Sequence, residues 1–167
     1  MLIISLNTIL KKTINQFTNK QTMIQFGNLP TDADCFTRPG SYAIIPEGEQ
    51  IALVRIIGWG KYFLPGGGID EGETPEDALR RESEEETGYS IEVWEKIGEA
   101  AVFVRSKSGN SYINLQGNFF SAKIIAQDLS LMVEEDHETV WITQKEALEV
   151  LHLDSHRWAL QKWLSTQ

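Results

Sequence analysis

The sequence predicts a mixed α and β domain, on three observations. Short apolar runs arrive in hairpin order with turn residues between them, two later segments carry helix-start signals, and a third amphipathic stretch closes the chain. These helices are interspersed without the regularity of a βαβ series, which favours a mixed sheet over a parallel one. At 167 residues the chain fits one domain with one core. Its 41% apolar and 10% aromatic content argues against disorder.

The first 22 residues carry three lysines and no acids. Ile3, Leu6, Leu10, Ile14 and Phe17 recur at helical spacing, so residues 1–35 are read as an N-terminal extension holding a helix. Polar residues interrupt any signal-type apolar run, although surface anchoring and disorder are alternatives, and Met23 could itself begin the core. Gly27 to Gly40 reads as loop with Phe36 as an anchor. Ser41–Pro46 and Gln50–Ile57 read as a hairpin around Glu47-Gly48-Glu49, and Tyr62–Leu64 as a short strand stopped by Pro65.

Thr74, Pro75 and Asp77 mark a helix start, and Gly88 marks its stop. Ser90–Arg105 and Ser111–Ile125 read as long strands, the first broken near Gly98, and Thr139–Ile142 as a short one. Thr143-Gln144-Lys145-Glu146 has capping-box spacing and opens a helix to about Leu151. A last helix runs from about Ser155 to Leu164.

The stretch Gly66–Tyr89 (GGGIDEGETPEDALRRESEEETGY) concentrates the chemistry. From Gly67 to Tyr89 nine acids face Arg80 and Arg81, a balance of −7 in a chain of net charge −9. On a wheel of ~100° per residue, Glu82, Glu85 and Glu86 share a face with Ala78 and Leu79. Asp77, Arg80 and Glu84 lie on the opposite, solvated face. Inward carboxylates repel one another and lose hydration unless a cation offsets them. Arg81 and a divalent ion are the candidates, because hard cations take carboxylate oxygens and bridge them to phosphates. A structural ion-pair network is the competing reading.

Gly67, five residues, Glu73, seven residues, then Arg81-Glu82-Ser83-Glu84-Glu85-Glu86-Thr87-Gly88-Tyr89 resembles the Nudix box, Gly-x5-Glu-x7-Arg-Glu-U-x-Glu-Glu-x-Gly-U, where U is bulky and aliphatic. Ser83 and Tyr89 depart from it, both at packing positions. Phe63-Leu64-Pro65-Gly66-Gly67-Gly68 also resembles the family's approach to the box, and the likeness extends over about residues 36–165. It implies an α/β/α sandwich with a mixed β-sheet over a domain at 36–167. It also implies hydrolysis of a nucleoside diphosphate linked to another moiety, dependent on Mg²⁺ or Mn²⁺. Glu82, Glu85 and Glu86, with Gly67, would then hold metal, one glutamate doubling as general base. Arg81 would orient a glutamate, and Glu73 would support the loop.

Glu138, in the acidic loop before Trp141, is the candidate for a further catalytic acid and His137 beside it for a substrate contact, with a solvated loop acid and an exposed histidine as the simpler readings. Arg38, Arg55 and Arg105 are candidates for phosphate. Trp59, Tyr62, Phe103, Tyr112 and Phe119 could line a ring pocket, with core packing as the simpler role for each. His152 and His156 are four apart, but Asp154-Ser155 reads as a helix start between them, which argues against a zinc pair.

The acidic balance disfavours DNA and anionic membranes, and no apolar run is long enough to span a bilayer. A single cysteine, Cys35, leaves a cytoplasmic setting as the default. The expected partner is a small nucleotide or other diphosphate, with the chain a monomer or homodimer. The alternative functions are a nucleotide-binding or regulatory module of the same fold without turnover, or an isomerase.

Overall fold

A computed structural model describes residues 23–167; the helix expected in the N-terminal extension lies outside them. Two β-sheets and three helices make up the described fold. The larger sheet contains β1 (Ile24–Phe26), β2 (Cys35–Ile44), β6 (Gly66–Gly68), β7 (Tyr89–Arg105) and β8 (Tyr112–Gln127), in the order β1-β7-β8-β2-β6. Its β1–β7 and β2–β8 pairs are parallel and its β7–β8 and β2–β6 pairs antiparallel, so the sheet is mixed as expected. The smaller sheet joins β3 (Pro46–Glu47), β4 (Gln50–Ile56), β5 (Lys61–Phe63) and β9 (His137–Thr143), all antiparallel.

Successive residues of one strand face opposite sides of a sheet, and the core is sorted accordingly. Ala43, Ile45, Phe120 and Ala122 pack with Leu79 of α1 (Pro75–Thr87). Ile44 and Phe119 pack on the other side, with Ala147 of α2 (Gln144–Val150) and Ala159 and Leu160 of α3 (Asp154–Leu164). Helices therefore cover both sides, in the α/β/α arrangement.

Three expectations are corrected. The segment Gly27–Gly40 is not all loop, because β2 begins at Cys35 and pairs along ten residues of β8, from Tyr112 to Ser121. Phe36 is no anchor, being 52% exposed on that strand. The hairpin around Gly48 is only the β3–β4 pair, since β2 belongs to the other sheet and pairs with β6 and β8. The described sheet also takes in Ile24–Phe26, which pair with Ala100–Val102 and lie before residue 36.

The helix signals translate directly. Thr74 Oγ1 accepts from Asp77 N at 3.2 Å, Pro75 opens α1, and Gly88 closes it at φ 70°, a conformation glycine takes without strain. The Thr143–Glu146 box is complete in both directions. Ser83 and Tyr89, the two departures from the box, meet each other: the buried Ser83 hydroxyl donates to Tyr89 O at 2.9 Å. A polar pairing thus replaces the aliphatic packing expected there, and Tyr89 spends its ring against Trp141.

Candidate active site

Gly66–Gly68 form the edge strand of the larger sheet, pairing with Gly40–Tyr42, and α1 lies against them. Gly66 has a φ of 131°, and a Cβ there would strike Ser41 O and the Tyr42 backbone. At Gly67 a Cβ would instead fall 2.5 Å from Glu82 Cδ. The first glycine is a requirement of the backbone, whereas the second leaves room for a carboxylate. Gly66→Ala is therefore expected to destabilise the fold by more than about 2 kcal/mol. Gly67→Ala should displace Glu82 and lower turnover by at least about 10-fold with little change in melting temperature. Thermal unfolding and initial rates on the two variants check the contrast.

Arg81 organises the acids. Its Nε and Nη2 bond both oxygens of Glu73 at 2.7 and 2.8 Å, and Nη2 also donates to Gly68 O at 2.9 Å. Nη1 donates to Glu82 Oε1 at 2.7 Å and to Glu85 Oε2 at 3.1 Å. The guanidinium holds the Glu73 carboxyl down to about 2. For Glu82, burial outweighs Arg81 and pushes its pKa up. One cation thus faces three carboxylates in contact, with Asp70 a fourth at 3.7 Å, so the local charge stays negative.

Glu86 is the most buried of the helix acids, at 7% exposure. Its Oε2 accepts from Gly66 N at 2.8 Å, and His137 Nδ1 lies 3.2 Å from Oε1, close but outside the alignment of a hydrogen bond. Burial raises the Glu86 pKa, and the Glu86 carboxylate in turn raises that of His137. The wheel is right in direction but misses a gradient: Glu86 is buried, while Glu82 and Glu85 are 17% and 36% exposed at the side chain.

Glu82 and Glu85 lie against Arg81, whereas Glu86 lies at the glycine edge on Gly66 N. Among the described residues, the three acid or histidine side chains whose ligand atoms lie within 4.8 Å of one another are Glu134, Asp136 and His137. The donors on α1 nevertheless suit a hard divalent ion. Glu82 and Glu85 each keep one oxygen free of Arg81, the Gly67 notch gives the Glu82 carboxylate its space, and excess negative charge remains.

A cavity of about 230 Å³ begins at Gly66–Gly68 and Glu86 and continues between Arg38, Tyr42, Trp59, Phe63, His137 and His156. Of the residues named as substrate-contact candidates, Arg38 and Trp59 line this cavity, and Arg38 makes no ion pair among the described residues. Arg55, Tyr62 and the candidate acid Glu138 do not line it. The β4 pairings place Arg55 opposite both Tyr62 and Glu138, whereas Val54 and Ile56, which line the cavity, stand opposite Phe63 and His137. Alternation therefore turns Arg55, Tyr62 and Glu138 to the other face, where Arg55 Nη1 bonds Glu138 Oε2 at 3.1 Å. Phe63 and His137, their chain neighbours, hold the cavity positions instead. His152 precedes α3 and sits beside Trp59, so the two histidines do not share a helix.

His137, the candidate for a substrate contact, lines the cavity, whereas Phe63, Tyr42 and His156 line it without having been singled out for that role by the sequence. Period-two alternation along β9 and β5 was the available signal, but its phase depends on which face is buried.

These elements define a class of protein, a mixed-sheet sandwich whose glycine edge and acidic helix open on an aromatic cavity. Residues 37–164 match the NUDIX domain, and the chain belongs to that family. It is 31% identical over 110 residues to the nucleoside triphosphatase NudI of Enterobacter sp. (strain 638), covering 63% of this chain and 77% of that one. It is 35% identical over 74 residues to an RNA pyrophosphohydrolase of Marinomonas sp. (strain MWYL1), covering 44% and 46% of the two chains. The chain spans less than half the length of most of the curated relatives it matches. Among solved structures, a NUDIX hydrolase from Nitrosomonas europaea superposes with a TM-score of 0.65 at 19% identity, over 78% of this chain and 90% of that one. No described helix is long and apolar enough to cross a membrane.

Proposed function

We propose that the protein is a metal-dependent hydrolase that cleaves a diphosphate linkage in a nucleotide-type substrate. The carrying observation is the placement of Glu86 at the cavity wall, on the same helix as Glu82 and Glu85 and beside the glycine edge. The names of the relatives, a nucleoside triphosphatase and an RNA pyrophosphohydrolase, support the substrate class. Glu82, Glu85 and Glu86, with the Gly67 backbone, would hold Mg²⁺ or Mn²⁺. When bound, such an ion offsets diphosphate charge and makes water a better nucleophile.

The chain's own groups supply the rest. Arg81 spaces Glu82 from Glu85 and fixes the loop through Glu73 and Gly68. Gly66 N–H donates to one oxygen of the Glu86 carboxylate, and His137 flanks the other at 3.2 Å. Arg38, at the same cavity and without an ion-pair partner among the described residues, supplies a guanidinium for a phosphate oxygen.

A screen of nucleoside triphosphates, dinucleoside polyphosphates, nucleotide sugars and ADP-ribose tests this reading. At least one is expected to be hydrolysed, with activity lost in EDTA and restored by Mg²⁺ or Mn²⁺. Binding of a nucleotide without turnover of any substrate would instead establish a binding module.

A further inference from the structure

We infer that His156 is a specificity residue of the proposed nucleotide site. Its Nε2–H donates to a carbonyl oxygen or an unprotonated ring nitrogen on the buried edge of the substrate's heteroaromatic base. The inference rests on the hydrolase reading, which takes the Glu86 end of the cavity as the diphosphate end.

Geometry fixes the tautomer. Leu64 N–H donates to His156 Nδ1 at 3.1 Å, so Nδ1 carries a lone pair and the proton of the neutral ring must sit on Nε2. Burial holds the ring's pKa down to about 3, which keeps it neutral through the working pH range. His156 is 1% exposed, and its Nε2 has no partner among the described residues. A buried donor without an acceptor is rare and costly, so a group at this position calls for an acceptor that the described fold does not supply.

The cavity is where that acceptor can arrive. His156 is among its walls, together with Tyr42, Trp59 and Phe63. Tyr42 packs on the imidazole at a ring separation of 4.4 Å, while Phe63 and Phe119 meet it edge-on, which leaves the ring little freedom to turn. Trp59, 55% exposed, presents a ring face on which a base can stack. A planar ring with a hydrogen-bond acceptor at its inner edge satisfies these walls, and its diphosphate would then run toward Arg38 and the glycine edge.

The full chain labelled with ¹⁵N-histidine provides the test. Long-range ¹H–¹⁵N spectra should show His156 with a bare Nδ1 and a protonated Nε2. The probes are the α,β-methylene diphosphates of guanosine, adenosine, uridine and cytidine in Mg²⁺, with methylenediphosphonate as the base-free control. At least one nucleotide is expected to shift the Nε2 proton, and the control should not. His156→Asn keeps an acceptor for Leu64 N–H but cannot reach the Nε2 position. It should weaken binding of that nucleotide by about 10-fold or more and leave the control unchanged. His156→Gln, which places an amide N–H near Nε2, should recover part of the loss.

A nucleotide that binds with the Nε2 signal unmoved, or as tightly to His156→Asn, overturns the inference and leaves the hydrolase reading intact. Should His156→Asn not fold, the wild-type spectra decide alone. Failure of every nucleotide to bind overturns the inference, and the hydrolase reading falls with it only if the substrate screen also shows no turnover, while binding with the Nε2 shift but no hydrolysis of any substrate overturns only the hydrolase reading.

Discussion

Replacing Glu85 by glutamine is expected to lower turnover by at least about 100-fold while the fold survives. The substitution keeps side-chain length and helix propensity and removes only charge. Arg81 loses one partner at 3.1 Å but keeps Glu73, Glu82 and Gly68 O. Glu85 is 36% exposed at the side chain, so its ion pair contributes no more than about 1 kcal/mol to stability. A large effect on rate beside a small one on melting temperature would mark a functional role. Measuring kcat at saturating Mg²⁺ together with thermal unfolding separates the two, and retained turnover would remove Glu85 from the reaction.

The second large effect is on stability against acid. His156 titrates near 3 in the folded chain, against about 6.5 for an unperturbed imidazole, because burial disfavours its charged form. Below pH 6.5 the unfolded chain takes up a proton at this ring that the folded chain does not. Stability must therefore fall as pH drops from 6.5 toward 3, and no further loss from this group occurs below that. The whole interval corresponds to roughly 5 kcal/mol, comparable to the net stability of many domains. Urea unfolding of wild type and His156→Asn at pH 4 to 7 isolates the contribution, since the carboxylates are common to both. The variant is expected to show the flatter dependence; parallel curves would refute the assignment.

These two residues differ in how they could be found. Glu85 belongs to a local pattern. The spacing from Gly67 to Gly88, the cap at Thr74 and the helical wheel all act within one helix and its entry loop. Their consequences needed no partner from elsewhere in the chain. The same holds for the complete capping box at Thr143–Glu146 and for the long β7 and β8 strands.

His156 has no such local pattern. Its chemistry comes from Leu64, 92 residues away, which occupies Nδ1 and thereby assigns the proton to Nε2. Likewise, Glu138 and His137 are neighbours in an acidic loop and look equivalent in sequence. The register of β9 on β4 turns Glu138 to Arg55 and His137 to Glu86. The early residues of β2 illustrate the same limit, because Pro39 and Gly40 read as loop until β8 supplies a partner strand.

From sequence alone, then, come the mixed α and β class, the boundaries of α1 and the inward set of Glu82, Glu85 and Glu86 beside Gly66–Gly68. Capping, glycine conformation and helical periodicity are short-range effects, written in adjacent residues. The tertiary structure alone decided that Glu86 is the buried member, that Arg81 braces the other two, and that an aromatic cavity ending at His156 adjoins them. Strand register and burial depend on contacts between residues distant in sequence, and a one-residue change of phase exchanges the residues that face the site.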